Sequence, residues 1–403
     1  MIGRRGLGHD IERMSTPGAE DGRDQRLRVV TLVDRLGTGG AERLAIQTTT
    51  RLDSERFDRT LCASRRFDVA ISKAHVANAL EDLDAAGVRV IGLKRTSARQ
   101  IWAWFPLYRL LRRERVDVLH AHKFGSNLWG TAIGRLARVP VIVAHEHTWS
   151  FEGQPLRRFG DREVIARGSS AFIAVSREDR RRMIEIEGID PEDVMFMPNG
   201  IPAPPPPTGA DVRAELGIPP DAPVIGTVSV MRPQKALDVL LRATRTLVDE
   251  FPALQVLIAG EGDRREALQE LALELGIGDN VRFIGVRTDV PDVLAALDIA
   301  VSSSDFEGSP LSVMEYMEAA RPVVATRVGG VPDLIDDGVH GLLVERQDPA
   351  AFAAAVAQLL RDPARATEMG RRGQERRRAE FDIDVMVKRL EELYRELRAK
   401  AAR

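Results

Sequence analysis

The chain repeats one pattern twice: short apolar runs rich in β-branched residues alternate with stretches that have the spacing of amphipathic helices. Strands that are apolar along their whole length are typical of parallel sheets covered by helices on both faces. The pattern therefore predicts an α/β fold with two tandem doubly wound Rossmann-like domains facing each other across a cleft. The predicted strands cover 28–33, 88–93, 116–120, 139–144 and 171–175, then 223–230, 254–259, 280–284, 298–302, 322–326 and 341–344.

A proline-rich segment separates the two halves, because four consecutive prolines at 204–207 form a stiff, polyproline-like stretch. Residues 1–26 are rich in Arg, Gly and Asp and lack the apolar stretch of a secretory signal. The expected organisation is a disordered leader at 1–26, a first Rossmann-like domain at 27–200, a linker at 201–222, a second Rossmann-like domain at 223–382 and a C-terminal helix at 383–403.

Composition excludes several classes of protein. The 403 residues carry 58 basic and 60 acidic side chains, which is not the basic balance of a dedicated nucleic-acid-binding protein. The single cysteine, Cys62, cannot form an internal disulfide or a thiolate metal site, so we expect a reducing, cytoplasmic compartment. No apolar run approaches the ~20 residues that a membrane-spanning helix needs.

Two glycine-rich turns follow predicted strands, at 37–42 and 260–262. Glycines there let the backbone turn sharply and approach a ligand at a helix N-terminus. A dinucleotide-binding fingerprint needs a third glycine, but Glu42 and Arg265 stand in its place. An anion-binding loop and a generic tight turn remain the alternatives for the first of these segments.

Four of the seven histidines lie in two His-x-His segments, His120 with His122 and His145 with His147, each at the end of a predicted strand. Alternation along a strand places both members of a pair on one side. Three interpretations remain: a zinc site, histidines with a structural role, and polar side chains that line the cleft. We favour the third, and expect no metal.

The strongest candidates for a charged ligand lie in the second half. Arg232 and Lys235 follow a predicted strand and precede a helix, where two cations suit a pyrophosphate, and Lys235 is one of only six lysines. Glu307 and Glu315 flank the start of another helix, for which Ser309 is the predicted N-cap and Pro310 the first residue. Carboxylates beside an anion-binding helix end suit the hydroxyl groups of sugars.

Together these segments resemble the retaining GT-B glycosyltransferases of family 4, from residue 27 to about residue 403. The matching motifs are Gly-Gly-Ala-Glu at 39–42, Asp-Val-Leu-His-Ala-His at 117–122, Ala-Val-Ser at 174–176, Pro-Asn-Gly-Ile at 198–201, Arg-x-x-Lys at 232–235, the glutamates at 307 and 315, Pro-Val-Val-Ala-Thr at 322–326, Gly-Gly-Val-Pro-Asp at 329–333 and Gly-Leu-Leu-Val at 341–344.

The resemblance implies that a nucleotide-sugar donor binds mainly to the second domain, without a metal or a resident cofactor. Arg232 and Lys235 are then expected to hold the diphosphate, and Glu307 to contact the transferred sugar. The other implied contacts are Glu315 for the ribose, Gly285 and Val286 for the base, the amides of Leu311 and Ser312 for the donor, Gly39 and Gly40 for the phosphates or acceptor, and His122 for the sugar.

The implied activity is retaining transfer of a hexose from a nucleoside diphosphate sugar to an acceptor hydroxyl, in glycan, polysaccharide or glycolipid synthesis. UDP is favoured as the nucleotide and GDP is possible. The alternatives are a non-catalytic GT-B protein that binds nucleotide sugars and a dehydrogenase with two Rossmann domains. The partners expected are the donor and a sugar or lipid-linked acceptor, with no nucleic acid.

Four residues depart from the family pattern. Ala236 and Ala320 replace usual glycines, Pro310 replaces a common glycine, and Glu318 stands where a small residue is common. None of these changes removes a charged group.

An aromatic and basic segment at 101–115 contains two of the four tryptophans and four arginines. It predicts either a scaffold helix or an amphipathic helix for peripheral contact with the inner membrane face.

Overall fold

Two parallel sheets form the framework of the molecule. The computed structural model describes residues 26–36, 39–65, 73–97, 100–148 and 154–403. The predicted leader lies outside these residues except for Arg26, and so do Gly37 and Thr38 of the first glycine-rich turn.

The first sheet has seven parallel strands in the order β3-β2-β1-β4-β5-β6-β7. Its strands are β1 Leu27–Val33, β2 Phe57–Arg65, β3 Arg89–Arg95, β4 Val118–His122, β5 Val141–Glu146, β6 Ala171–Ala174 and β7 Val194–Phe196. The order reverses direction between β1 and β4, so the connections leaving these two strands diverge and open a crevice at their carboxyl ends.

The second sheet has six parallel strands in the order β10-β9-β8-β11-β12-β13. Its strands are β8 Val224–Val228, β9 Gln255–Ala259, β10 Val281–Gly285, β11 Ile299–Ser302, β12 Val323–Thr326 and β13 Gly341–Val344. Its order reverses between β8 and β11, so both domains are doubly wound, as the sequence predicts.

Helices connect the strands and cover both faces of the sheets. Those of the first half are α1 Gly40–Arg51, α2 Lys73–Ala85, α3 Phe105–Arg113 after a 3-10 turn at Ile101–Trp104, α4 Phe124–Ala137, α5 Pro155–Phe159 continued by a π-helical stretch at Gly160–Ala166, and α6 Arg177–Glu185. Those of the second half are α7 Val212–Glu215, α8 Leu237–Leu247, α9 Arg265–Glu274, α10 Val290–Ala295, α11 Leu311–Glu318, α12 Val331–Leu334, α13 Pro349–Arg361, α14 Pro363–Glu380 and α15 Ile383–Ala401.

The sequence pattern identifies all six strands of the second sheet but misses β2 and β7 in the first. Strand β2 carries Asp58, Arg59 and Thr60 among its apolar residues, so its composition hides its place between β1 and β3. Strand β7 is a three-residue edge strand, too short to show any periodicity.

The predicted linker is not uniformly extended. Helix α7 lies within it, and Val212, Ile218 and Ala222 are buried. Ile218 and Ala222 pack with the apolar residues of the second domain, whereas the prolines at 204–207 remain exposed. The chain after about residue 211 therefore packs as part of the second domain.

The last helix returns to the first domain. The buried side chains of α15, among them Met386, Leu390 and Tyr394, pack in one cluster with Val29 of β1 and Phe57 of β2. Two polar contacts extend this interface: Arg398 Nε lies 3.0 Å from Asp117 Oδ1, and Glu391 accepts a hydrogen bond from the Asp53 amide.

Three departures from the family pattern have structural explanations. Ala236 and Ala320 both have positive φ values, 42° and 53°, where glycine is the residue of lowest strain. Glu318 is buried on α11, where its carboxylate pairs with the buried guanidinium of Arg377 at 2.9 Å and with Arg378 at 2.8 Å. This glutamate supplies the charge that the buried Arg377 requires.

We expect Ala320→Gly to stabilise the protein by about 1 kcal/mol, because glycine adopts left-handed backbone conformations without steric strain. The measurement is the free energy of urea unfolding. Ala319→Gly, one residue earlier and with φ of −74°, is the matched control and should destabilise the protein. A destabilised Ala320→Gly variant would contradict the assignment of strain.

Candidate functional site

Most of the predicted site residues gather at the two positions where the sheet orders reverse. Gly39 and Gly40 follow β1, and His122 ends β4, on the two sides of the reversal in the first domain. Lys235 follows β8 and Glu307 follows β11, on the two sides of the reversal in the second. Parallel strands end at one edge of their sheet, so each set of loops shares a crevice.

The loops after β8 and β11 are joined to each other. Lys235 Nζ lies 2.5 Å from Glu307 Oε1, and Ser304 Oγ donates to the same carboxylate oxygen at 2.7 Å. Backbone contacts support this pair, because the Asp305 amide donates to the Gln234 carbonyl and Ser303 Oγ donates to the Lys235 carbonyl. The Glu307 carboxylate is therefore buried and fixed in direction beside a cation.

Arg232 and Lys235 differ in their surroundings. Lys235 lies in a 3-10 turn at Pro233–Lys235, and its side chain is held by Glu307. Arg232 is exposed, and its side chain makes no ion pair with any residue that the structure describes. One cation of the predicted pair is thus pre-positioned, and the other is free to move toward a ligand.

Helix α11 begins one residue later than predicted. Pro310, not Ser309, is the N-cap, with φ of −71° and ψ of 114°, and Leu311 is the first helical residue. The Ser309 carbonyl accepts a hydrogen bond from Asn199 Nδ2 of the first domain at 3.1 Å, while the Pro310 carbonyl accepts from the Met314 amide. The interdomain contact therefore keeps Ser309 outside the helix. Leu311 and Ser312 carry N–H groups of the first turn, as predicted.

Glu315 lies on the second turn of α11 and faces the other domain. Its carboxylate is 3.0 Å from Arg43 Nη2 of α1. Beside it lies a cavity of about 710 Å³, which the linker prolines, Val228, Thr288 and Val290 also line. The turn at Gly285 and Val286 precedes Thr288; Gly285 has φ of 69° and Val286 is 63% exposed. Thr288 thus brings the loop after this turn to the cavity beside Glu315, whereas Gly285 and Val286 do not line that cavity.

The two domains touch across the cleft. A Cβ atom at Gly308 would lie 2.0 Å from the His147 carbonyl oxygen, so only glycine permits this approach. Gly40 faces the side chain of Leu311, and the Arg177 amide donates to Asp333 Oδ2 at 2.8 Å. Of the predicted residues, Gly40 of the first domain and Leu311 of the second therefore face each other at close range.

The four strand-end histidines form a buried network. His120 Nδ1 lies 2.6 Å from the Tyr394 hydroxyl oxygen, and its Nε2 lies 3.2 Å from His145 Nδ1. His122 Nδ1 lies 3.0 Å from His147 Nε2, while His122 Nε2 has no hydrogen-bond partner among the described residues. His122 Nε2 and His145 Nε2 are therefore buried and unpartnered among the described residues, whereas both nitrogens of His120 are engaged.

The same cluster offers the donor atoms of a metal site. His120, His122 and His145 place one ring nitrogen each within 4.8 Å of the others. Burial lowers the pKa of all four histidines, that of His145 to about 3, so neutral imidazoles are present at neutral pH. The geometry is compatible with metal binding as well as with the hydrogen-bonded network described.

Three further side chains hold site residues in place and are not among the residues predicted from the sequence. Ser304 orients Glu307, Arg43 pairs with Glu315 from the opposite domain, and Lys123 pairs with the buried Glu42 at 2.6 Å. Lys123 carries a usable signal, because it is one of six lysines and directly follows the first histidine pair. Ser304 and Arg43 carry none, since serines and arginines are common in this chain.

Two Rossmann-like domains whose ligand-binding edges face each other define the GT-B class of glycosyltransferases, and solved structures share this arrangement. HepE from Anabaena, determined in complex with UDP-glucose, has a TM-score of 0.78 at 19% identity, covering 92% of this chain and 100% of that one. Sucrose-phosphate synthase from Thermosynechococcus elongatus has a TM-score of 0.76 at 21% identity, covering 93% and 100%.

The chain belongs to glycosyltransferase family 4. The model of "Glycosyltransferase Family 4" matches residues 38–203, and that of "Glycosyl transferases group 1" matches residues 210–376. A D-inositol 3-phosphate glycosyltransferase of Thermomonospora curvata is 31% identical to this chain, and the alignment covers 94% of this chain and 92% of the relative's sequence. An Escherichia coli UDP-Gal:alpha-D-GlcNAc-diphosphoundecaprenol alpha-1,3-galactosyltransferase is 24% identical, over 80% and 85%.

We expect the buried histidines to make the protein acid-sensitive. Their pKa values are lower in the folded state than in the unfolded chain, so unfolding takes up protons below about pH 6.5. Stability is then fully present above that pH and falls by up to about 1.4 kcal/mol per pH unit for each histidine as the pH drops.

The measurement is the free energy of urea unfolding between pH 8 and pH 5 for the wild type and His145→Gln. Burial raises the pKa values of the Glu146 and Asp161 carboxyls to about 7 and about 9. These two groups bind more protons in the folded state than in the unfolded chain, so they oppose the loss of stability as the pH drops. The difference between the two proteins isolates His145. Equal pH dependence in both would show that His145 titrates normally.

Proposed function

We propose that this chain transfers a hexose from a UDP-sugar to an acceptor hydroxyl with retention of configuration; a GDP-sugar is the second choice of donor. The observation that carries the proposal is the Lys235–Glu307 pair, fixed where the second sheet reverses and close to the free amide end of α11. A cation and a helix N-terminus suit a diphosphate, and a buried carboxylate suits the hydroxyl groups of a sugar.

The comparisons support this choice of donor. HepE has been determined with UDP and with UDP-glucose, and the name of the Escherichia coli relative includes a UDP-sugar. The relatives' names also describe phosphorylated or lipid-linked acceptors. We infer an acceptor of the same broad kind, with a role in glycan, polysaccharide or glycolipid synthesis.

The proposed mechanism assigns most of the electrostatic work to the second domain. Arg232 and Lys235, together with the amides of Leu311 and Ser312, stabilise the negative charge that develops on the departing diphosphate. Glu307 holds hydroxyl groups of the transferred sugar, and Glu315 holds the ribose. Gly285 and Val286 flank the base.

The first domain supplies the opposite face of the site. Gly39 and Gly40 allow the donor phosphates or the acceptor to approach the backbone, and His122 contacts the sugar. The acceptor hydroxyl attacks the oxocarbenium-like sugar on the face that the diphosphate leaves, and the diphosphate takes the hydroxyl proton. Interdomain closure excludes water from this step. Arg232 and Lys235 neutralise the charge of the diphosphate in place of a metal ion, so we propose a metal-independent reaction.

We expect Lys235→Ala to reduce the transfer rate at least about 100-fold, because a preorganised charge on the leaving diphosphate contributes several kcal/mol. UDP should raise the Tm of the wild type more than GDP, ADP or NAD does, and Lys235→Ala should lose that shift. Lys388→Ala, on the exposed side of α15, is the matched control. NMR of the product's anomeric centre tests retention.

A Tm shift with NAD alone would favour a dehydrogenase. A UDP shift without transfer to any of a panel of sugar and lipid-linked acceptors would favour a non-catalytic binding protein. Intact transfer in Lys235→Ala would contradict the assigned role of the lysine.

We also propose peripheral contact with the cytoplasmic membrane face through residues 101–115. Ile101, Trp102 and Phe105 are 61%, 73% and 57% exposed, and Arg109 lies over the Phe105 ring. Trp104, Leu107 and Leu111 instead point into the core, so the apolar residues of this segment divide between the domain and its surface. The described residues contain no helix that is long and apolar enough to span a bilayer.

Trp102→Ala combined with Phe105→Ala should reduce sedimentation with phosphatidylglycerol vesicles at low salt about tenfold or more, since each buried aromatic contributes about 1.5–3 kcal/mol. Leu273→Ala, which removes an equally exposed apolar side chain from the second domain, is the control. Equal sedimentation of the double variant and Leu273→Ala would show that residues 101–115 do not contribute to membrane binding.

A further inference from the structure

Three arginines converge on one aspartate at the edge of the first sheet that faces the cleft. Asp34 directly follows β1, while Arg65 and Arg95 are the last residues of β2 and β3. Asp34 Oδ1 lies 3.0 Å from Arg65 Nε and 3.0 Å from Arg95 Nη2. Arg35 Nε is 3.9 Å from Asp34 Oδ2. Among the described residues, three guanidinium groups and one carboxylate leave an excess of two positive charges.

The sheet imposes this arrangement on like charges. Arg65 and Arg95 are paired residues of neighbouring strands, and the register of the two strands shifts between Ala63 and Arg65. Like charges directly opposite each other destabilise a sheet, and irregularities of this kind often redirect side chains near functional sites. Asp34 and Ser64, which donates to it at 3.0 Å, only partly relieve the repulsion.

The most buried of the three guanidinium groups is incompletely satisfied. The Arg95 side chain is 7% exposed, and its Nε has no hydrogen-bond partner among the described residues. Its guanidinium also stacks on Trp104, 4.6 Å from the ring centroid, which fixes its orientation. Burial, reinforced by the neighbouring Arg65, lowers the pKa of Arg95, although Asp34 opposes the shift. A bound anion would accept a hydrogen bond from Arg95 Nε and would offset the repulsion between the Arg65 and Arg95 guanidinium groups.

The position of these arginines separates them from the donor. They lie at the carboxyl ends of β1, β2 and β3, on the side of the first domain away from β5 and β6. The residues proposed to hold the diphosphate, Arg232 and Lys235, belong to the second domain. Arg65 and Arg35 are 40% and 50% exposed, so a ligand can reach the excess charge from the cleft side.

We propose that Arg35, Arg65 and Arg95 form a binding site for the phosphate group of a phosphorylated acceptor. This inference rests on the proposed glycosyltransferase function and identifies the chemical class of its acceptor. Planar guanidinium groups suit phosphate oxygens because they offer paired donors in fixed directions. Asp34 holds the arginines in place before the ligand arrives, and its own negative charge weakens phosphate binding.

The test is calorimetric titration of the full chain, saturated with UDP, with inorganic phosphate, glycerol 3-phosphate and glycerol. Saturation with UDP blocks the donor site. Glycerol 3-phosphate should bind and glycerol should not. Arg65→Gln should weaken binding about tenfold, the equivalent of one charged hydrogen-bonding partner. Asp34→Asn, which keeps the shape but removes the competing charge, should tighten binding several-fold.

Arg89→Gln is the control, because Arg89 starts β3 at the opposite edge of the sheet and pairs with Glu114. It should bind glycerol 3-phosphate as the wild type does. Weaker binding in Asp34→Asn would overturn the proposal, and so would an Arg65→Gln variant that binds both glycerol 3-phosphate and phosphatidylglycerol vesicles as the wild type does. The opposite effects expected for Arg65→Gln and Asp34→Asn distinguish a ligand site from an ion pair that only stabilises the fold.

A second arm distinguishes a soluble phosphate from a lipid headgroup. If Arg65→Gln reduces flotation with phosphatidylglycerol vesicles but leaves glycerol 3-phosphate binding unchanged, the site takes a lipid headgroup. Loss of glycerol 3-phosphate binding assigns it to soluble phosphorylated acceptors, and loss of neither overturns the proposal. The Tm shift with UDP reports separately on the donor site, so failure of the proposed function is recognisable independently.

Discussion

Two crossings of the chain between the domains hydrogen-bond to each other, and the geometry of the cleft depends on them. The Ile201 amide donates to the Phe381 carbonyl, and the Ile383 amide donates to the Ile201 carbonyl, both at 3.0 Å. A Cβ atom at Gly200 would lie 2.8 Å from the Asp382 carbonyl oxygen, so glycine is required for this approach. The buried guanidinium of Arg377 also donates to the Ile201 carbonyl and so ties α14 to the first crossing.

The paired crossings near Ile201 and Asp382 bring the crevices of the two sheets together. Each parallel sheet creates a crevice where its strand order reverses, but a single crevice offers either the charged loops or the histidines. With the domains joined in this way, Glu315 reaches Arg43, and the Ser309 carbonyl reaches Asn199. Helix α15 adds support from behind, because the Tyr394 hydroxyl hydrogen-bonds to His120 in the histidine network.

Charge is distributed unequally between the two sides of the cleft. On the donor side, Glu307 engages Lys235 and leaves Arg232 unpaired among the described residues. On the other side, Asp34 engages Arg65 and Arg95 with a single carboxylate. Within the described ranges, each side therefore keeps an unneutralised cation near a fixed carboxylate. A substrate pair with one anionic group for each domain fits this distribution better than a neutral acceptor does.

The doubly wound architecture can be predicted from the amino-acid sequence, because apolar runs alternate with stretches of helical spacing along the whole chain. The sequence also predicts a ligand-binding role for Arg232, Lys235, Glu307 and Glu315, because charged residues next to strand ends and helix starts can be recognised from the sequence alone. It predicts Ser309 as the N-cap of α11, one residue before the observed N-cap Pro310, because capping propensity is local whereas the contact between Asn199 and the Ser309 carbonyl is not.

Which side chains contact each other depends on the packing of the whole fold. The pairing of β2 with β3 opposes Arg65 to Arg95, yet β2 is hidden in the sequence by its polar residues. The partner of Glu315 comes from a helix more than 250 positions away, and no short-range pattern encodes such a contact. Residue type sets what a side chain can do, but sheet order and the packing of the domains set its neighbours, and those depend on the free energy of the whole fold.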